Sequence, residues 1–195
     1  MHRFPRLMRL AWLPLVAAVL TVAPRPAAAQ AVTATSGSPA AIARIRAEYA
    51  AIQREAPRLR QTRHEFYEFS LEGGELVGFY RGRELRKLSA HQFGETWQGT
   101  EEYYFSGGRL IFIHTVTERY DEPMSGRVQV RTEHRFYFDN GRLIRRVRTR
   151  NPAALPDGVS PDDEDVAHLL KTARIFAACA AAPAGAEREC TAPAR

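Results

Sequence analysis

Tyr137-Phe138-Asp139-Asn140-Gly141-Arg142-Leu143-Ile144 is the stretch that decides the fold. It consists of two aromatics, a two-residue turn, a charged residue and an aliphatic pair. Asn-Gly is a strong hairpin signal, because both positions accept the positive φ that a type I′ turn needs. Two earlier stretches repeat the pattern: Phe79-Tyr80-Arg81-Gly82-Arg83-Glu84-Leu85-Arg86 and Tyr104-Phe105-Ser106-Gly107-Gly108-Arg109-Leu110-Ile111. Gly107-Gly108 serves the same purpose as Asn140-Gly141, whereas Arg81-Gly82 is weaker and Arg83 stands where a second glycine is expected. Three successive hairpins predict an antiparallel meander of about six strands with local connections. In the third, Val128, Val130, Thr132, His134, Phe136 and Phe138 alternate with Gln129, Arg131, Glu133 and Arg135. That period predicts one buried face and one wet face.

Outward from the meander, the period changes to that of helices. Ser38-Pro39 is a helix start, since serine caps the first turn and proline loses nothing at its first position. Ile42, Ile45, Tyr49 and Ile52 then form one apolar stripe, which Pro57 ends. A further helical stretch is expected from Arg58 to about His64, and turn-rich links over 89–100 and 119–127. Arg150 to Ser160 reads as a loop. Ser160-Pro161-Asp162-Asp163-Glu164 then opens a second helix running to about Ala182. The expected fold is α+β: an N-terminal helix packed on the meander, with a C-terminal helix closing an edge or end. The expected organisation is a signal peptide over 1–29, a disordered lead-in over 30–37, one domain over 38–182 and a flexible tail over 183–195.

The first 29 residues have a basic start, an apolar run from Leu10 to Ala23, and Ala27-Ala28-Ala29 before an expected cleavage at Gln30. This leader explains most of the charge. The chain has 28 Lys+Arg and 22 Asp+Glu, a net +6. Arg3, Arg6, Arg9 and Arg25 belong to the leader, leaving 24 basic residues against 22 acidic and a balance of +2. Such a balance argues against nucleic acid as a partner. The apolar run is also too short to anchor the chain, so no membrane span is expected after cleavage. Cys179 and Cys190 are expected to pair in an oxidising compartment, which places the protein in the periplasm or outside the cell.

Motifs for nucleophilic serine, zinc, P-loop and dinucleotide chemistry are missing from the sequence, and it implies no cofactor. Two constellations remain. If the turn between strands centres near Glu122-Pro123, His114 faces Thr132 and His134 lies diagonally beside it on the same side, within reach of a shared metal. The other is basic: Arg131, Arg135, Arg145, Arg146 and Arg148 surround Tyr137, as a site for an anion would. Glu133 and Asp139 interleave with them, and would neutralise such a patch if paired with it.

The repeat resembles the hairpins of MORN-type proteins. It is still more similar to exported bacterial proteins of unknown function, through Gly74-Glu75-Leu76, Glu102 to Leu110 and His134 to Arg145. The resemblance implies export and a meander, and no reaction. The expected function is a non-enzymatic binding or interaction module of the cell envelope, with an envelope protein or an anionic envelope polymer as partner. The alternative is a small metal-dependent or hydrolytic enzyme using His114 and His134.

Overall fold

The computed structural model describes residues 29–33, 37–67, 72–151, 166–183 and 190. The residues before Ala29, expected as a leader, the expected Ser160-Pro161 helix start and most of the expected tail lie outside the described residues. An N-terminal helix, a seven-strand antiparallel meander with one further strand paired on its edge, and a C-terminal helix make up the described fold, so the α+β expectation holds in outline. Along the chain run β1 (Ala29–Thr33), α1 (Pro39–Glu55), a 3₁₀ turn (Ala56–Arg58), β2 (Arg60–Phe66) and β3 (Gly74–Arg81). Next come β4 (Glu84–Gly94), β5 (Trp97–Ser106), β6 (Arg109–Tyr120), β7 (Val128–Asp139), β8 (Arg142–Asn151) and α2 (Val166–Ala181). The sheet order is β1-β8-β7-β6-β5-β4-β3-β2.

Three local expectations are corrected. The helical stretch expected from Arg58 to about His64 is replaced from Arg60 onward by edge strand β2 (Arg60–Phe66), because pairing with β3 along its whole length overrides a polar sequence without strong strand propensity. The link expected over 89–100 is strand except for the turn at Glu95-Thr96. Ala29–Thr33, from which no regular structure was expected, pairs with β8.

Each repeated hairpin carries a register shift between its two aromatics: Phe79/Tyr80, Tyr104/Phe105 and Tyr137/Phe138. The extra residue is Arg86, Ile111 or Ile144, and it turns beneath α1 together with its neighbour. In the second and third turns both central residues have positive φ (Gly107 and Gly108; Asn140 and Gly141). In the first only Gly82 does, the φ signature of a II′ turn, and this resolves the departure at Arg83.

The sheet has a core on each face. Ile42, Ile45 and Ile52 of α1 pack on Tyr104, Phe112, Tyr137 and Val147. Leu169, Ala173 and Phe176 of α2 pack on Phe66, Leu88, Tyr103 and Phe136 on the other. The one-wet-face expectation is thus replaced by a helix on each side. Phe136 and Phe138 belong to the α2 core, so the C-terminal helix covers a face rather than an edge. Cys179 and Cys190 form the expected disulfide at the C-terminal end of α2.

Candidate functional site

α1 crosses only part of its face. Its cap is set as the sequence predicts, with Ser38 Oγ accepting from Ala41 N–H at 3.1 Å and Pro39 in the first turn. Its acidic side is held by Arg86, which is only 3% exposed. That guanidinium donates to Glu48 Oε1 (2.7 Å), Glu55 Oε1 (3.1 Å), Glu84 Oε1 (3.0 Å) and the Phe105 carbonyl (3.2 Å). The bulge that projects Arg86 therefore fixes where α1 lies.

Beside the fixed helix opens a cavity of about 270 Å³. Its walls are Ile45, Arg46 and Tyr49 of α1, Phe112 and His114 of β6, and Glu133, Arg135 and Tyr137 of β7. Tyr49 meets Tyr104 and Phe112 edge-on, with ring centroids 4.9 and 5.1 Å away, and Phe112 lies 4.9 Å from Tyr137. These contacts hold an aromatic wall with few free rotamers.

The polar side centres on His114. Its Nδ1 lies 3.4 Å from Glu102 Oε2 and its Nε2 lies 2.8 Å from Glu133 Oε1. A carboxylate thus faces each ring nitrogen, which fixes the imidazole plane. Glu102 also accepts from Lys87 Nζ at 2.6 Å and from Tyr104 Oη at 2.7 Å. Burial alone would raise the Glu102 pKa, but His114, Lys87 and Tyr104 outweigh it and hold the carboxyl at about 2. Burial and the nearby Glu102 charge push the Tyr104 phenol up. Glu133 is also held below its ordinary range, the bond from His114 and the charges of Arg135 and Arg131 overcoming burial. Arg131 bonds Glu118 at 3.2 Å and Glu133 at 3.4 Å, and Arg135 bonds Glu133.

The expected His114–His134 pair does not form. His114 lies opposite Arg135, three positions from the expected Thr132, and His134 lies opposite Thr115. The 121–127 link closes later than Glu122-Pro123, and a register shift between Arg119 and Tyr120 adds one residue. An odd offset sends the two histidines to opposite faces. His134 is buried on the α2 side, stacked on Phe136 with Arg146 Nη2 3.3 Å from its Nδ1. The two rings therefore cannot share a metal ion.

The basic constellation divides in the same way. Arg131, Arg135, Tyr137 and Arg145 share the α1 face, while Arg146 and Arg148 pair across from Phe136 and His134 on the α2 face. Arg131 and Arg135 are neutralised by carboxylates, and Asp139 is taken by Arg44 at 2.7 Å. The sequence reading missed Arg46, Tyr49, Phe112 and Glu102. The helical spacing of Ile45 and Tyr49 carried a signal for one wall, but the bulges that place Glu102 beside His114 left none.

No family model, curated protein or solved structure matches this chain. The cleft itself therefore carries the functional reading.

Proposed function

We propose that the protein is an exported binding module of the cell envelope whose cleft beneath α1 holds a small organic anion with an apolar body. Arg46 carries the reading. It lines the cleft with its guanidinium carbon 5.9 Å from the centre of the Tyr137 ring, and no carboxylate pairs with it among the described residues. The other cleft arginine, Arg135, is paired with Glu133. A ligand carboxylate would meet Arg46, its body would lie on Tyr49, Phe112 and Tyr137, and the fixed His114 edge would select polar substituents. The leader-like first 29 residues and the Cys179–Cys190 disulfide support export. An anionic polymer or a protein partner gains less support, since the basic residues are split between faces and Arg131 and Arg135 are paired with carboxylates. A hydrolytic or metal-dependent role resting on the two histidines loses its geometry.

The test is calorimetric titration with benzoate and its neutral analogue benzamide. The proposal predicts that benzoate binds more tightly than benzamide. Arg46→Ala should weaken benzoate at least tenfold and Arg46→Lys less, with thermal melting unchanged because Arg46 is exposed. Equal benzoate affinity in the wild type and Arg46→Ala would refute it.

A further inference from the structure

A second cavity, of about 630 Å³, opens at the β2 edge of the sheet, outside the site described above. Glu65 and Glu75 on its wall are cross-strand partners, and their row continues through His91, Thr100 and Val116 to Glu133. Partners across a sheet point to one side, so this cavity lies on the same face as the cleft. At about 4.8 Å per strand Glu65 of this cavity and Glu133 of the cleft are about 24 Å apart.

The lining combines two features. Tyr67 and Phe93 are the exposed large aromatics among the described residues, at 58% and 39%, and both line this cavity. Phe93 is steadied by the His91 ring at 4.4 Å and by its N–H, which donates to the Gly73 carbonyl at 3.2 Å. Tyr67 donates its hydroxyl to Glu65 Oε2 at 3.0 Å. The second feature is polar: Glu65, Glu72 and Glu75 supply carboxylate acceptors, and Arg63, bonded to Glu75, supplies a fork of donors. Three carboxylates against one guanidinium leave the wall negative, which rejects acidic ligands.

From this pairing we propose that the cavity binds a saccharide lacking acidic groups, neutral or amino-bearing. The exposed aromatic faces suit the apolar C–H faces of pyranose rings. Carboxylates and a guanidinium bond vicinal hydroxyls from both sides, and an amino substituent adds charge attraction. A protein surface would need a broader apolar patch than two rings interrupted by four charges.

The test is titration of the full chain with three probes: an N-acetylglucosamine tetramer, a glucosamine tetramer and a sulfated oligosaccharide of similar length. At least one of the first two should bind, and the sulfated probe should not. Tyr67→Ala and Phe93→Ala should each weaken binding at least tenfold without lowering the melting temperature, while Tyr67→Phe retains most of it. Arg46→Ala should leave it unchanged, which separates this site from the benzoate cleft. No binding by either non-acidic probe, equal binding of the sulfated one, or indifference to both aromatic substitutions would overturn the proposal.

Discussion

Two residues, Arg86 and Glu102, decide how the α1 face is built. Arg86 is a buried cation whose partners come from α1, β4 and β5, so its loss leaves Glu48 with Ser106 and Glu55 with Arg81, and unties α1 from β4 and β5. Breaking such a network is costly, and Arg86→Ala should lower stability by about 3 kcal/mol in urea unfolding. Glu102 makes stability pH-dependent. Its folded pKa of about 2 lies below the value of an unfolded glutamate, so its contribution is complete above about pH 4.5. It is lost as pH falls from there towards 2. The urea midpoint of the wild type should fall over that range, and Glu102→Gln should be less stable at pH 7 with a flatter acid limb. Glu101, the next residue, points to the other face, where burial raises its pKa against the bonds from Tyr103 and Gln92. Its effect therefore has the opposite sign, with stability lost as pH rises through its folded value.

The elements show what a repeat does and does not reveal. Turn residues, aromatic pairs and helix caps were legible, because each is a local preference with a local cause: Asn140-Gly141 for positive φ, Ser38-Pro39 for the first helical turn. Bulges were not. From the Gly107-Gly108 turn alone, an unbroken ladder would set Glu101 opposite His114, and the extra Ile111 replaces it with Glu102. In the third hairpin an unbroken ladder would set Arg135 against Arg146, and the bulge substitutes Val147. One residue thus changes which side chains form the site, and tertiary packing under α1 decides it rather than propensity. Close approach also appears only in three dimensions. A β-carbon on Gly78 would lie 2.9 Å from Ala180 Cβ and 2.8 Å from Thr62 Oγ1. Gly78→Ala should therefore push α2 off β3 and cost about 1–3 kcal/mol by thermal unfolding.

At the scale of the whole molecule, a two-sided sheet replaces the one-sided layer expected from sequence. The long alternation of β7 is apolar on one side, which takes α2, but its polar side is covered in part as well, by α1. That partial cover makes the cleft, since a helix spanning the whole face would fill it. α2 closes the opposite face and is tied at its end by Cys179–Cys190, with a separation of 11 residues. Cys190→Ser should lower stability by up to about 3 kcal/mol, with the larger effect on unfolding of α2 seen by hydrogen exchange. The division between faces also supplies the most direct test of the ligand cleft. His114 belongs to the cleft and His134 to the buried α2 side, so their ring resonances report on the two faces separately. Benzoate added to the intact chain, followed by ¹H–¹⁵N spectra of the imidazoles, should shift the His114 signals in a saturable way and leave those of His134 in place. Saturable movement of His134 with His114 unmoved would contradict the account.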